Sequence, residues 1–415
     1  MREKLDEEYF KHQDNGSKSS MDVLSLSYWN GGVLRATAGD VSNYWNDVGY
    51  VWGLDPNAPD YLTTVDSIFD MTYLTDYIIG ETYVTNYDWP YNNIKIHRSD
   101  STFNKWRFAT IDLELSLQPN GWSDCNSNGL EHAMGNGQDN PFIRPWWQSL
   151  ANPQYRRYFI NRYADVLNSS YRIERLLDVE NNFFNIWTPE MPNEYQRWGD
   201  PWNVGGWMQD YYNRHLQMRE ELLCKSQSVR GQIQGVMGLG ASREITLNIE
   251  PSEAGEIHLN TLNISDSTWS GFYFEDVDID LMANAKPGYQ FSHWGLNNVI
   301  EDTLSAFWNG LVSEDNLVFT AYFEEDTTLV NPVSNIDFAS VQLYPNPSSD
   351  VIHIVSKSAS NHAQIFNAYG QEIITKNFFG NITTVNISDL SNGLYIAVIT
   401  DRRSGSINTL NFIKR

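Results

Sequence analysis

Residues 66–93 read DSIFDMTYLTDYIIGETYVTNYDWPYNN, a helical pattern followed at once by a loop rich in amides and aromatic rings. The pattern over 66–83 predicts one helix with Asp66 as its N-cap. The apolar face of that helix consists of Ile68, Met71, Leu74 and Ile78. The loop at 86–93 has more aromatic surface than a plain turn needs and more amides than a buried strand tolerates. We therefore expect either a well-packed loop or an active-site loop.

A strand pattern follows at 105–117, which reads KWRFATIDLELSL. The odd positions from Ala109 onwards are apolar and the even positions become polar, which is the alternation of a half-buried strand. In such a strand Asp112 and Glu114 project from the same face, roughly 6.5–7 Å apart along the chain.

The loop and the strand together offer hard oxygen ligands. Magnesium usually takes one or two carboxylates together with phosphate oxygens and water. Phosphoryl transfer by protein kinases uses an aspartate beside the hydroxyl, an asparagine five positions later and a further metal-binding aspartate. Asp88, Asn93 and Asp112 stand in that order with that offset. Spacing alone still favours a simpler interpretation, a turn with Asx hydrogen bonds beside an edge strand with a solvated polar face.

Composition narrows the classes of function. A chain of 415 residues predicts roughly two to four domains. The net charge of −24 argues against a nucleic-acid binder, which needs a basic face, and against docking on an anionic membrane. Since no apolar run of about 18 residues occurs, no transmembrane segment is predicted. The charged N-terminus contains no apolar segment of a signal peptide, so we expect a fragment of a longer protein.

The cysteines and histidines give weaker signals. Cys125 and Cys224 could form one disulfide, but two buried free thiols are the favoured interpretation, and no zinc motif is present. His97, His132 and His215 are isolated in the sequence, and each is interpreted as a surface histidine or one with satisfied hydrogen bonds.

The character of the chain changes twice. Up to residue 240 it mixes aromatic-rich loops with helical patterns, which include 152–171 and 207–226. From there to 326 alternating β-branched segments predict an all-β module, and 327–339 reads as a linker. Short strand patterns over 340–415 are typical of a small β-sandwich.

Several motifs in this order resemble the CotH-type family of atypical spore-coat protein kinases. The motifs are REKLDEEYF, FDMTYLTDYIIGETYVTNYDWPYNNIKIHR, KWRFATIDLELSL, QSLANPQYRRYFINRYADVLN and EMPNEYQRWG. The resemblance implies a multidomain protein, in which an α+β protein-kinase-like C-lobe precedes two small all-β modules, a repeat module and an Ig-like β-sandwich.

The resemblance also implies roles for single residues, with Mg²⁺ and ATP as cofactors. Asp88 corresponds to the catalytic aspartate, and Asn86 and Asn93 lie in its loop and would bind the cofactor. Asp112 corresponds to the metal-binding aspartate, and Asn93 would share the metal. Glu114 would also ligate it, although it stands where the family has a second aspartate. Trp89, Pro90 and Tyr91 would hold the loop's shape by packing. The family's N-terminal lobe, which holds the ATP phosphates, would precede residue 1.

The two remaining modules carry resemblances of their own. Residues 244–325, through AKPGYQFSHWG and NLVFTAYFEED, resemble internalin-B-type bacterial repeats. Residues 340–415, through LYPNPSSD, IFNAYGQEI and ISDLSNGLYIAVI, resemble the C-terminal sorting domain of the type IX secretion system. This resemblance implies export to the cell surface or secretion in a Bacteroidota-like bacterium, with the type IX machinery as a partner.

Two functions follow from these resemblances. The first is Mg-ATP-dependent phosphorylation of serine or threonine on exported proteins, with little or no activity expected of this truncated chain. The alternative is a non-catalytic surface adhesion or scaffold protein with a degenerate kinase-like domain. Carbohydrate binding through the tryptophan-rich residues 187–207 is a third possibility.

Overall fold

The architecture comes from a computed structural model of the chain. It describes residues 5–14, 21–27, 31–102, 104–113, 116–117, 122–297, 299–301, 305–326, 341–358, 360–367, 371–402 and 406–415. The chain is multidomain, with an α/β region first and several all-β sheets after it. Within the described residues, none of the helices is both long and apolar enough to cross a membrane.

The first region combines helices with one four-stranded sheet of order β2–β1–β3–β4. Its elements are α1 (Glu7–Asp14), β1 (Asp22–Leu26), β2 (Arg35–Ala38), α2 (Val41–Trp52), α3 (Tyr61–Ile68), α4 (Met71–Val84), β3 (Ile94–Arg98), a 3₁₀ turn (Asp100–Thr102), β4 (Arg107–Ala109), α5 (Gly129–Asn136), α6 (Arg144–Ser149), α7 (Pro153–Asn168), α8 (Ile173–Trp187), α9 (Met191–Trp198) and α10 (Val204–Met237).

The prediction of one helix over 66–83 is wrong, because the chain breaks into α3 and α4 at Phe69. That residue is extended and forms a bridge with Trp106. Backbone hydrogen bonds from Asp70 N to the Trp106 carbonyl (3.0 Å) and from Trp106 N to the Ile68 carbonyl (2.8 Å) replace helical ones. The N-cap of α4 is Asp70. Asp66 lies buried inside α3, where it accepts a hydrogen bond from Lys105 Nζ at 2.8 Å.

The strand predicted over 105–117 is also wrong beyond its first residues. Strand β4 ends at Ala109, and its last pair is with Lys95. Beyond that point β4 has no partner, because the chain before β3 turns away at Asn93 with a φ of 54°. Asp112 has a left-handed φ of 59° and lies outside any strand, so the shared face predicted for it is not formed. Glu114 lies outside the described residues.

Helices α7 and α10 confirm the two other helical predictions. Asn152 caps α7, since its side-chain oxygen accepts hydrogen bonds from the backbone N of Gln154 (3.0 Å) and Tyr155 (3.2 Å). The pattern over 207–226 lies inside α10, which is 34 residues long.

The prediction of free thiols is wrong, because Cys125 and Cys224 form a disulfide with a Cα–Cα distance of 5.6 Å. The fold places Cys125 against α10. Its backbone N donates to Glu221 Oε2 at 2.6 Å, and its carbonyl accepts from Ser228 Oγ at 2.7 Å. A separation of 99 residues gave no sign of this contact.

The second region contains two sheets, of order β11–β10–β13–β5–β8 and β12–β9–β6–β7. Its strands are β5 (Ser242–Glu250), β6 (Gly255–Leu259), β7 (Leu262–Ile264), β8 (Thr268–Phe274), β9 (Ile279–Ala285), β10 (Tyr289–Leu296), β11 (Val299–Glu301), β12 (Phe307–Gly310) and β13 (Leu317–Glu325). Alternate side chains of both sheets fill one core.

The third region also has two sheets, of order β14–β15–β18 and β17–β16–β19–β20. Its strands are β14 (Val341–Tyr344), β15 (Val351–Ser356), β16 (Ser360–Asn367), β17 (Glu372–Phe379), β18 (Ile382–Asn386), β19 (Gly393–Asp401) and β20 (Ile407–Lys414). The residues at 327–339, predicted as a linker, lie outside the described residues.

Both β regions contact helix α7. The buried carboxylate of Asp165 accepts hydrogen bonds from Thr261 N (2.9 Å) and Tyr273 Oη (2.7 Å) of the second region. Phe379 of the third region is 1% exposed and packs between the rings of Tyr155 and Tyr158, with ring centroids 5.7 and 5.0 Å away. The helical region is therefore the body against which both β regions lie.

Candidate functional site

The loop at 86–93 begins where α4 ends. Thr85 closes the helix in a left-handed conformation, with a φ of 56°. Its buried hydroxyl donates to the Ser127 carbonyl at 3.0 Å and accepts from Lys225 Nζ at 3.1 Å. Two other parts of the chain, the 122–128 segment and α10, thus fix the point at which the loop starts.

Asp88 and Asn93, predicted to act together, are brought together. Asp88 Oδ2 accepts hydrogen bonds from Asn93 Nδ2 at 2.9 Å and from Asn92 Nδ2 at 2.5 Å. Asp88 is half-buried, so its carboxylate stays accessible to solvent, whereas Asn93 is 9% exposed. A half-buried carboxylate held by two amides can accept a further hydrogen bond from a bound hydroxyl.

Asn86 points to the interior, towards Glu81 rather than towards Asp88. Its Nδ2 donates to Glu81 Oε2 at 2.9 Å, and its own Oδ1 is buried without a hydrogen-bond partner. Burial raises the pKa of Glu81 to about 7, while the hydrogen bond from Asn86 lowers it in part.

Asp112 is exposed and follows β4 on the segment that leaves the sheet. Among the residues that the structure describes, no three His, Cys, Asp or Glu side chains are grouped closely enough to hold a metal ion. Metal binding by Asp112 and Asn93 would therefore depend on amide and carboxylate oxygens completed by nucleotide phosphates and water, as magnesium often accepts.

Of the two aromatic residues predicted to hold the loop's shape by packing, Trp89 does so, whereas the ring of Tyr91 is exposed. Trp89 is 1% exposed, and its ring lies edge-on to Tyr77 of α4, with centroids 6.0 Å apart. The Trp89 carbonyl is 2.8 Å from His132 Nε2 of α5. Tyr91 is itself exposed, but its hydroxyl donates to Asn136 Oδ1 at 3.0 Å. Helix α5 therefore holds the outer half of the loop.

Of the three histidines predicted to be exposed or satisfied, His132 and His215 each have a polar neighbour within hydrogen-bonding distance, whereas the contact of His97 described below is a ring stack. His132 contacts the loop as above, and His215 Nδ1 lies 2.5 Å from Glu180 Oε1. His97 is 4% exposed and stacks on Phe10, with ring centroids 3.9 Å apart.

A cleft of about 580 Å³ lies in the helical region, and its lining includes neither the loop residues 86–93 nor Asp112. It is bounded by α1, α4 and the end of β4, and its lining includes Tyr9, Phe10, Tyr73, Tyr77 and Thr110. Tyr77 contacts both this cleft and Trp89, and Thr110 precedes Asp112 by two positions. The cleft therefore extends from the packing of the loop towards the segment that carries Asp112.

Sequence reasoning missed three residues that hold the loop, namely Glu81, Asn140 and Lys225. Asn140 Nδ2 donates to the Pro90 carbonyl at 3.0 Å. Lys225 is fully buried, and burial lowers its pKa to about 8. Of these three, only Glu81 could have been noticed in the sequence, because it is an acidic residue among the apolar residues that form the buried face of α4. The other two offered no such signal, since they come from distant parts of the chain.

Two family models match the chain. The one described as CotH kinase protein matches residues 4–223, and the one described as secretion system C-terminal sorting domain matches residues 342–413. These matches confirm both resemblances. The first suggests nucleotide and metal use in general, and the second indicates a secreted or surface protein that the type IX machinery handles. The resemblance of 244–325 to internalin-B-type repeats stays a prediction.

The other comparisons add little. No curated protein matches the chain. Among solved structures the chain is similar to PorZ, described as an essential bacterial surface component of the type-IX secretion system of Porphyromonas gingivalis, at 14% sequence identity and a TM-score of 0.19. The match covers 35% of this chain and only 21% of PorZ. So low a TM-score carries no argument about fold or function.

Proposed function

Because the chain belongs to the CotH kinase protein family, we propose that it is an exported kinase. It would transfer the γ-phosphate of Mg-ATP to serine or threonine hydroxyls of other exported proteins. The kinase-like C-lobe would occupy residues 1–240, followed by the β module at 241–326, the linker at 327–339 and the sorting domain at 340–415. A sorting domain in the same chain supports the exported location of the enzyme.

The observation that carries this proposal is the contact between Asp88 and Asn93, 2.9 Å from Oδ2 to Nδ2. It lies between a helix and a two-stranded hairpin, after which Asp112 follows. An aspartate, an asparagine five positions later and a further aspartate form the order that protein kinases use for phosphoryl transfer. In addition, the side chains of Asp88 and Asn93 are in contact, which the spacing alone does not require.

Each residue then has a distinct role. Asp88 accepts the proton of the substrate hydroxyl while that oxygen bonds to the γ-phosphorus and the bond to the leaving ADP breaks. Asn93 and Asp112 would hold Mg²⁺, with Glu114 as a further carboxylate, and the metal would neutralise charge on the phosphates. Asn86 supports the loop from inside. The cleft between α1 and β4 is large enough to take part of a nucleotide.

A different observation favours the alternative of a non-catalytic surface scaffold. Helices α8 and α9 bury none of their residues, and they and the loop that follows expose large aromatic side chains, including Trp187, Trp198 and Trp202. Exposed apolar surface of this extent often marks a binding surface. Such a surface is what a non-catalytic scaffold needs in order to hold its partners.

The proposal is tested by Asp88→Ala. In the full-length protein, transfer of labelled γ-phosphate to a secreted-protein fraction should fall by at least about 100-fold, while the thermal shift caused by Mg-ATP should remain, because Asp88 acts on the hydroxyl and not on the nucleotide. Asp112→Ala should instead reduce the thermal shift itself, since it removes a metal ligand.

The matched control is Asp55→Ala. Asp55 is exposed in the connection between α2 and α3 and accepts hydrogen bonds from Asn57 N and Nδ2 at 3.0 and 3.3 Å, much as Asp88 accepts from its asparagines. This variant should keep full transfer. If the full-length protein shows neither a thermal shift nor transfer at millimolar Mg-ATP, the kinase proposal fails and the scaffold gains support.

A further inference from the structure

Glu81 is a buried acid that the chemistry described above does not use. It lies on α4, two turns after Leu74, and is 1% exposed. Glu81 interacts electrostatically with Tyr77 on the same helix and with Tyr171 after α7, and it accepts a hydrogen bond from Asn86. None of these is a cation. A buried carboxylate without a cationic partner costs free energy that a neutral side chain of the same shape would avoid.

The contacts of Glu81 all lead to the start of the loop. Its main-chain carbonyl accepts hydrogen bonds from the N–H groups of Thr85 and Asn86, the latter at 3.2 Å. Its side-chain Oε2 accepts from Asn86 Nδ2 at 2.9 Å. One residue thus takes three donors from the two positions at which the helix becomes the loop.

A carboxylate also fixes which way the Asn86 amide points. An ionised carboxylate can only accept hydrogen bonds, so only the amide NH₂ of Asn86 can face it, and Oδ1 must point away. A glutamine could face either end of that amide. Above its pKa of about 7, Glu81 is mainly ionised, and its charge then selects one orientation of a side chain only two positions before Asp88.

We propose that Glu81 is a positioning residue for Asp88, acting through the fixed side chain and backbone of Asn86. The inference rests on the proposed kinase function for its consequence in catalysis, but the effect on the loop does not depend on activity. It explains why an unpaired acid is kept inside α4. The cost of burying it is offset by a loop whose first residue has one orientation.

The test compares backbone hydrogen exchange in the peptide covering 86–93 between the wild-type chain and Glu81→Gln, at a pH above the Glu81 pKa of about 7. This variant keeps the shape, so the midpoint of thermal unfolding should stay the same or rise. Exchange in the loop should nevertheless be about tenfold faster, the difference between a charge-assisted and a neutral hydrogen bond. In the phosphoryl-transfer assay, kcat should fall by a similar factor while KM for ATP changes less than about twofold.

The matched control is Asp165→Asn. Asp165 is also a buried acid, and burial raises its pKa to about 6, but its hydrogen-bond partners Thr261 and Tyr273 lie in the second region. It should leave exchange in 86–93 unchanged. Glu81→Ala provides a second variant, which should accelerate loop exchange at least as much as Glu81→Gln.

Three results would overturn the inference. The first is that hydrogen exchange in 86–93 is as slow in Glu81→Gln as in the wild-type chain. The second is that exchange becomes faster to the same extent throughout α4 and α7, because Glu81 would then be an ordinary core residue. The third is a rise in KM with an unchanged kcat. If the full-length protein transfers no phosphate at all, the kinase function fails, while the exchange comparison still decides whether Glu81 positions the loop.

Discussion

Removing the disulfide should destabilise the helical region strongly. Cys125 and Cys224 are 99 residues apart, so the bond closes a long loop in the unfolded chain. In the chain-entropy treatment, a closed loop of about 100 residues is worth about 4.7 kcal/mol of folding free energy. The double change Cys125→Ala and Cys224→Ala should therefore lower the free energy of unfolding by about 3–5 kcal/mol.

The folded geometry at this place should survive the change, because other contacts hold it. Glu221 Oε2 binds the backbone N of residue 125, and Lys225 Nζ donates to the Ser127 carbonyl at 2.8 Å. The loss should therefore arise mainly in the unfolded state. The variant should keep its native circular dichroism spectrum and its nucleotide response while unfolding at a lower urea concentration.

The assay is urea unfolding followed by tryptophan fluorescence, since most of the 15 tryptophans precede residue 240. The wild-type chain is measured with and without a reducing agent, and the double variant serves as its own control, because a reductant should not shift it. Equal midpoints for the oxidised chain and the double variant would refute the reasoning. So would a reductant that lowers both midpoints alike.

Two further predictions concern buried charge. Lys105→Met should cost about 3–5 kcal/mol, because it leaves Asp66 buried and unpaired where both side chains are at most 5% exposed. Adding Asp66→Leu should recover at least half of that, and a single change costing under about 1 kcal/mol would contradict the prediction. Burial, then the charges of Arg107 and Lys95, lower the pKa of His97 to about 3. As the pH falls, His97 is therefore protonated in the unfolded chain before it is protonated in the folded one. The free energy of unfolding should fall by about 2 kcal/mol between pH 7 and 5 as a result. That loss should be absent in His97→Gln, and equal pH slopes of the urea midpoint in both proteins would rule the explanation out.

Local patterns predicted local structure well. Helix α7, predicted from the pattern over 152–171, and the loop at 86–93 both follow from features that lie close together in the sequence. The partnership of Asp88 and Asn93 was also accessible, because a five-position offset in a tight loop brings the two side chains into reach.

What the sequence did not reveal depends on partners far along the chain. The break at Phe69 exists because Trp106 supplies its hydrogen bonds, and β4 ends at Ala109 because β3 offers no further backbone to pair with. The alternation after Ala109 was real, but alternation alone cannot build a strand without a neighbour. Lys225 reaches Thr85 across 140 positions, which no local pattern records.

The ring of Phe379 has a consequence for how this protein is divided into parts. The sorting segment would usually be regarded as an address label that any cargo can carry. Here it contributes a side chain to the interior of its cargo, where Tyr155 and Tyr158 surround it, and the Gln154 side chain donates to its carbonyl. If the sorting domain were fused to another protein, Phe379 would be exposed to solvent. The helical region without the sorting domain would have an exposed cavity between Tyr155 and Tyr158. The sorting domain and the helical region thus have complementary surfaces. A fusion that replaces one of them and keeps the other should be less soluble than the native protein.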